Sequence, residues 1–300
     1  MVKRILCLCL LLFVAFTSVA YGEGEKGDLP AGVQPLPIDF SPGIKPEKQF
    51  YLSNTVYEDP SIRVELSSGR AYNCDYWIAD IKIVDSSQLR TISAGGFSSS
   101  ATMKGIALAK RANAVLAIDG DYFCYTGKGY ILRQGELFLN DLAGDRDVLL
   151  IDANGDFHAV FEPGQGTVTD TVDGIPVINA FYFGPVLVNQ GQKVELKFID
   201  GMAYDEGRQR MAIGQVGPLE YKVMCCAGPS RGSRGMTMDR FATFVAEQGV
   251  QVAYNLDGGD STMIIFNGKK INDPRNPSTR QICDMIYFAS AYEGSEVINP

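Results

Sequence analysis

Val252-Ala253-Tyr254-Asn255-Leu256-Asp257-Gly258-Gly259-Asp260-Ser261 opens as a buried strand and ends in carboxylates set among glycines. A second stretch is built alike: Ala114-Val115-Leu116-Ala117-Ile118 runs into Asp119-Gly120-Asp121-Tyr122-Phe123. Glycine at a strand end lets the backbone turn sharply and lets a ligand come close. Each strand follows a helical stretch, Thr102 to Arg111 before the first and Thr237 to Gln248 before the second. The second helix has Thr237 as cap, Asp239 in its first turn, and Met238, Phe241, Phe244 and Val245 on one face. Gly249 ends it. Outward from these units, short β-like runs dominate: Ile78–Val84, Val148–Asp152, Phe157–Phe161, Val186–Val188, Met211–Ile213, Tyr221–Cys226, Met263–Phe266 and Ile282–Ala289. Many strands with two helices predict an α+β fold: a mixed β-sheet core partly covered by helices, in a single large domain.

Lys3 and Arg4, an apolar run from Ile5 to Phe16, and then Ser18-Val19-Ala20 read as a secretory signal peptide over residues 1–20. The run is shorter than the ~20 residues that span a bilayer. The mature chain is therefore expected to be secreted or extracytoplasmic, with no membrane span. Residues 21–49 carry Pro30, Pro35, Pro37, Pro42 and Pro46 and read as a Gly/Pro-rich linker or loosely draped arm. Residues 50–293 read as the domain. The net charge of −8 becomes −10 when Lys3 and Arg4 leave with the signal peptide. Such a surface repels a polyanionic backbone, so nucleic acid is not an expected partner. One phosphate held locally by a few arginines remains compatible with it.

Cys74, Cys124, Cys225, Cys226 and Cys283 remain after cleavage, an odd count that does not make a disulfide framework. They read as buried small apolar side chains, with room for one bridge. There is a single histidine, His158, in the strand-like run Asp156-Phe157-His158-Ala159-Val160. A Ser-His-Asp triad or a multi-histidine metal site would have to use it. Chemistry is left to carboxylates, arginines, hydroxyls or a carboxylate-bound metal. Either acidic strand end alone could be a turn; two in one chain favour a carboxylate site, since ligand sites collect past the C-terminal ends of sheet strands. Asp152-Ala153-Asn154-Gly155-Asp156 resembles the start of a calcium loop, but Pro163 stands at its twelfth position and Asn-Gly between two β-like runs signals a hairpin turn.

Asn255-Leu256-Asp257-Gly258-Gly259-Asp260-Ser261, followed by Phe266-Asn267-Gly268, resembles the hallmark of the phosphodiester glycosidases. Five further elements are similar in chain order: Ala117 to Phe123, Phe183 to Val188, Arg210 to Gly214, Gly235 to Met238, and Arg280-Gln281-Ile282. The resemblance covers residues 101–288. It implies a hydrolase that cuts a sugar from a sugar-1-phosphodiester, for example an N-acetylglucosamine-1-phosphodiester, with a phosphoglycan or sugar-phosphodiester as substrate. Three departures bear on the site. Asp119 stands where the family usually has Asn, Met263 replaces the usual Thr, and Asp260 replaces the third glycine of an Asp-Gly-Gly-Gly run, where its charge would repel a phosphate held by backbone N–H groups.

Hydrolysis at an anomeric carbon uses two carboxyl groups. A phosphate monoester leaving group, with a second pKa of about 6, needs protonation less and charge neutralisation more. Arginine supplies that through a bidentate fork. These arguments assign Asp257 as the principal carboxylate and Asp121 as the second, with Asp119 or Glu136 as alternatives. The resemblance offers Arg210 and Arg280 for the phosphate, Arg133 being a weaker choice; outside it, the two read as surface salt bridges. Asn255, Gly258, Gly259, Asp260 and Ser261 complete the expected binding turn. No cofactor is required, and the acids are compatible with a divalent cation such as calcium. Two rivals stand beside the hydrolase. One is a non-catalytic carbohydrate-binding surface protein with Tyr122, Tyr125 or Tyr130 as its platform. The other is a metal-dependent phosphodiesterase using Asp119, Asp121, Asp257 and Asp260.

Overall fold

Alternating side chains set the layers. In the strand Arg210–Gly217, Met211 and Ile213 face one way and Ala212 the other; in Val252–Leu256, Tyr254 and Leu256 oppose Ala253. The two strands pair antiparallel, Met211 beside Leu256 and Ile213 beside Tyr254. In this computed structural model, which describes residues 28–197, 202–230, 232–274 and 276–294, they lie within an eight-stranded sheet. Its order is Val56–Glu58, Ile62–Ala71, Cys74–Ile83, Glu220–Cys226, Arg210–Gly217, Val252–Leu256, Val186–Asn189 and Gln192–Lys193. A five-stranded sheet runs Lys269–Lys270, Ile264–Phe266, Ala114–Asp119, Asp284–Ala289 and Leu89–Ser93. A third sheet holds Phe157–Val160, Val148–Asp152, Ile175–Phe181, Gly129–Arg133 and Glu136–Asp141, with Thr171–Val172 beside Ile175–Phe181. The signal-peptide expectation falls outside the described residues, among which no helix is long and apolar enough to cross a membrane.

The inner faces of the first two sheets make one core, in which Val64, Ile81, Ile213, Val223 and Tyr254 meet Val115, Ile118, Phe266, Ile286 and Phe288. The third sheet closes its side with Leu149, Ile151, Phe157 and Phe181. Helices cover the outer faces. Leu108, Ala109 and Ala112, on or just after the helix Gly105–Arg111, pack on Ala117, Ile265, Met285 and Tyr287. The helix Met238–Ala246 places Phe241, Phe244 and Val245 on Leu187, Ala212, Met224 and Ala253. Each such fully buried side chain contributes roughly 1.5–3 kcal/mol. Thr237 caps this helix by accepting from the Arg240 N–H, and Gly249 follows it at φ +76°.

Strand predominates, with helices covering outer faces as the expected α+β class required, but the expected mixed sheet is not found. Every strand pairing in the three sheets is antiparallel. A helix leading into a buried strand suggested parallel crossovers. Here Met103–Lys104, which enters the first helix, pairs with Gln281–Ile282, and Ser233–Arg234, before the second, pairs with Pro229–Ser230. Neither helix joins parallel neighbours of one sheet.

Cys225 faces the central core and Cys226 the helix-covered face, and the five described cysteines are all free thiols. His158 lies in its strand with Nε2 2.8 Å from Asp152 Oδ2. The Asp152–Asp156 stretch is a turn in which Asp152 Oδ1 accepts from the Asn154 and Asp156 N–H groups.

The described part of the Gly/Pro-rich segment is draped along the domain. Val33 bridges Tyr292, Ile44 bridges Ser290, and Val33 and Leu36 are buried. Arg90, only 1% exposed, holds this arm by donating to the carbonyls of Pro37, Asp39 and Ser41. Arg90→Ala is expected to cost about 1–3 kcal/mol through lost partners for buried groups. It should also speed chymotryptic cutting at Phe40; an unchanged cutting rate would show that the arm is held by other contacts.

Candidate active site

The strands Ala114–Asp119 and Val252–Leu256 belong to different sheets, yet their tips meet. The Asp257 N–H donates to the Gly120 carbonyl at 3.1 Å, and the Met263 N–H donates to Asp119 Oδ1 at 2.9 Å. The strand Asp284–Ala289 runs antiparallel beside Ala114–Asp119, with Met285 opposite Asp119, so its first residue arrives at the same tip. Gly120 makes room for it: a Cβ there would lie 2.2 Å from Asp284 Oδ2. Asp119, Asp257, Ser261, Arg280 and Asp284 line one cleft, with Tyr122 and Tyr125 at its side.

Ser261 is buried beside Asp257, and Arg280 Nη1 donates to Ser261 Oγ at 3.3 Å. Asp257 Oδ1 accepts from the Gly258 N–H at 2.8 Å. Tyr122 and Tyr125 stack with ring centroids 4.3 Å apart, and Tyr125 is exposed. Tyr122 adopts a left-handed backbone, φ 63°, a conformation that typically costs about 1–3 kcal/mol for a non-glycine residue.

Asp121 stands behind the cleft wall. It is fully buried, Oδ2 accepts from the Tyr182 N–H at 3.0 Å, and Arg133 Nη2 lies 2.8 Å from the same oxygen. Arg133 Nη2 is also 3.8 Å from Asp284 Oδ2, and its guanidinium lies over the Phe181 ring at 4.3 Å. The Nη2 hydrogens are misaligned for a hydrogen bond despite the short distance, so the contact is an ion pair and not a fork.

Burial, then the charge of Asp257, pushes the Asp119 carboxyl well above the ordinary range. Burial raises Asp257, against the Ser261 hydroxyl, the Gly258 N–H and Arg280, which lower it. Asp284 is pushed up to about 7 by burial and then by Asp121, with Arg133 opposing. A carboxyl raised on folding binds more protons folded than unfolded across this interval. Its stabilising contribution is complete below the unfolded value of about 4 and is lost as pH rises through the folded value.

Of the residues the sequence offered, Asp119, Asp257, Ser261 and Arg280 converge on the cleft. Tyr122 and Tyr125 border it, and the others do not line it. Asp260 is exposed on the turn, and Glu136 is exposed at the start of its own hairpin strand. Asn255 is buried and donates to the Gly184 carbonyl. Gly258 packs on the backbone, where a Cβ would lie 2.8 Å from the Gln209 carbonyl, and Gly259 supplies φ +59°. Arg210 corrects an expectation: its guanidinium donates to the carbonyls of Met236, Met202, Ala203 and Glu206 and clasps that loop. With those donors engaged it has no free fork for a phosphate. Tyr130 is buried in the third sheet, away from any platform. Asp284 was missed by a reading that searched only the C-terminal ends of strands. Its sequence signal is an acid opening the apolar run Met285 to Ala289, at the N-terminal end of an antiparallel neighbour.

Fold and cleft together define a mostly β-sheet protein of face-packed antiparallel sheets with a carboxylate–arginine cleft where two sheets join. The sequence pattern of the phosphodiester glycosidase family matches residues 112–289, more than half of the chain, and the chain belongs to that family. Solved structures share the fold. One is the catalytic domain of zebrafish N-acetylglucosamine-1-phosphodiester alpha-N-acetylglucosaminidase, auto-inhibited by its pro-peptide, at 17% identity and TM-score 0.62, covering 78% of this chain and 85% of that one. Another is a hypothetical protein from Synechocystis at 12% identity and TM-score 0.55, covering 79% of this chain and 64% of that one. No curated protein matches the sequence.

Two expectations follow for stability. Arg210→Gln should lower it by about 1–3 kcal/mol as buried carbonyls lose donors, whereas Arg280→Gln, at the surface, should stay within about 0.5 kcal/mol of wild type. The reverse order would return Arg210 to the cleft. In thermal unfolding from pH 4 to pH 8, wild type should lose more stability than Asp284→Asn, because the asparagine never ionises; parallel curves would place the titrating group elsewhere.

Proposed function

We propose that this chain is an exported hydrolase that cleaves the glycosidic bond of a sugar-1-phosphodiester. The observation that carries the reading is the meeting of Asp257, Ser261 and Arg280 in one cleft at joined strand tips. Family membership supplies the reaction class. An N-acetylglucosamine-1-phosphodiester is the first substrate to try, because the zebrafish relative of this fold is named for it.

Arg280, exposed at the mouth and tied to the Ser261 hydroxyl, faces the phosphodiester and offsets charge on the departing phosphate. Asp257, half-buried, acts at the anomeric carbon as base or nucleophile. The Gly258 N–H fixes its carboxylate. Asp119 lies behind it and Asp121 supports the wall through Arg133. No residue supplies a histidine base to Ser261, so the serine orients and does not attack. Tyr122 and Tyr125 border the same cleft and so belong to substrate contact within this reading. Among the described residues, no three of the acids, cysteines or histidine are arranged as a metal-ligand set. This reading is written through side chains alone, and equal turnover with and without a chelator is its expected consequence.

Asp257→Asn should reduce kcat by about 10²–10⁴-fold while thermal unfolding changes little. Retention of activity would reject its role. Hydrolysis in ¹⁸O-water should place the label on the sugar; label in the phosphate would mean phosphodiesterase chemistry instead.

A further inference from the structure

Two thiols from distant parts of the chain meet beside the cleft. The short helix Phe123–Thr126 carries Cys124 between Tyr122 and Tyr125, which border the cleft, and Cys283 belongs to the segment from Arg280 to Asp284, which supplies another stretch of its wall. Cys124 packs against a cluster of Phe97, Phe123, Ile131 and Cys283, and each of the two thiols is a hydrogen-bonding neighbour of the other. Both are anchored. The Cys283 carbonyl accepts from the Ala94 N–H at 2.7 Å, and the Phe123 ring next to Cys124 packs on Phe97 with centroids 5.4 Å apart. Cys283 is buried, whereas Cys124 is only half-buried and open to a reagent. The remaining described cysteines are placed differently. Cys225 faces the central core. Cys74 and Cys226 are fully buried, and because Cys226 stands opposite Tyr76, Cys74 is its diagonal neighbour. Diagonal residues of a sheet are roughly 7–8 Å apart, beyond the ~7 Å between Cα atoms that a disulfide spans.

We propose that Cys124 and Cys283, thiols in this structure, are a disulfide-forming pair that cross-links these two stretches of the cleft wall. The oxidant is a small disulfide of the glutathione type. The Cys124 thiolate, on the side that solvent reaches, attacks one sulfur of that disulfide; its S–S bond breaks and one small thiol leaves. The Cys283 sulfur then attacks the sulfur of Cys124, forming the protein S–S bond and expelling the second small thiol. Two protein thiols and one small disulfide thus become one protein disulfide and two small thiols. The Cys283 proton has an acceptor in place, since its Sγ donates to Asp284 Oδ1 at 3.6 Å. Burial raises both thiols, so uncatalysed attack is slow at neutral pH and the exchange is favoured by alkaline conditions. The cross-link answers a local need. The helix Phe123–Thr126 is a single turn flanked by left-handed residues, Tyr122 at φ 63° and Gly127 at φ 61°, and one turn makes few hydrogen bonds of its own. A bond to Cys283 ties the stacked Tyr122 and Tyr125 to the stretch that carries Arg280 and Asp284. The pairing does not depend on which reaction the cleft performs.

The test equilibrates the whole protein at pH 8 with oxidised glutathione, or with a reductant, then unfolds it, alkylates free thiols and maps the peptides by mass. Oxidised protein should yield one linked peptide pair holding Cys124 and Cys283, lighter by two hydrogens than the sum of the two, with Cys74, Cys225 and Cys226 alkylated. Its midpoint of thermal unfolding should lie about 5 °C or more above that of the reduced protein. Chymotryptic cutting after Tyr125, which is exposed, should slow several-fold on oxidation. Cys124→Ser should remove the linked peptide and make both the midpoint and the cutting rate indifferent to glutathione. Should that variant fail to fold, Cys283→Ala is the second, with the same expected loss. Alkylation of both Cys124 and Cys283 in the oxidised sample overturns the proposal. So does Cys124 recovered as its glutathione adduct with Cys283 still free, because the second displacement would then not occur. A linked pair made of other cysteines, or a midpoint that still responds to glutathione in Cys124→Ser, overturns it as well.

Discussion

Arg133 is fully buried, and its guanidinium is the positive charge against which the buried acids at the strand tips are balanced. It reaches Asp121 from the strand Gly129–Arg133 of the third sheet and rests on Phe181 and Phe97. It also donates to the carbonyls of Leu132 and Ala180. Removing either partner of such a pair strands a charge in a poorly polarisable interior, at a cost of about 3–5 kcal/mol. The pair thus ties the third sheet to the tip of the five-stranded sheet and fixes where the cleft floor lies. One guanidinium does not match Asp119, Asp121 and Asp284 together, and burial pushes the Asp119 and Asp284 carboxyls upward.

Antiparallel pairing makes that gathering of acids possible. In a parallel sheet, ligand-binding residues come from the C-terminal ends of strands. Here a C-terminal end, Asp119, lies beside an N-terminal one, Asp284, and the hydrogen bond from Asp257 to Gly120 adds the end of a strand from another sheet. Three chain segments distant in sequence therefore supply the cleft without a long loop. The small residues that allow this are specific to place, Gly120 under Asp284 above all.

Much of the fold was legible, for identifiable reasons. Val148–Asp152 and Val252–Leu256 occur with the expected ends, because fully buried strands read as continuous apolar runs bounded by turn residues. The strand Ile62–Ala71 escaped, although Ile62, Val64 and Leu66 alternate with exposed residues, because its second half is polar. Its partner Cys74–Ile83 is joined to it through Tyr72 and Asn73, both at positive φ, and lacks the glycine that marks most such two-residue turns. At the site, Asp257, Ser261 and Arg280 were legible because the first two sit on one turn and the third opens a short closing motif. Arg210 was not, since a sequence shows that an arginine stands there but not whether its donors meet a ligand or the carbonyls of its own loop.

The two acids that depart from the family pattern show how little residue type alone decides. Asp260 was expected to repel a phosphate, but it is exposed on the Gly259–Ser261 turn and off the cleft wall. Water and ions screen its field over about 8 Å at physiological salt. Asp119 is on the wall and 1% exposed, and there the same dehydration that would magnify its charge instead favours its neutral form. Solvent thus weakens the field of the one acid, while burial disfavours the charged form of the other, so the two additional carboxyls soften their repulsion of an anion by opposite physical routes.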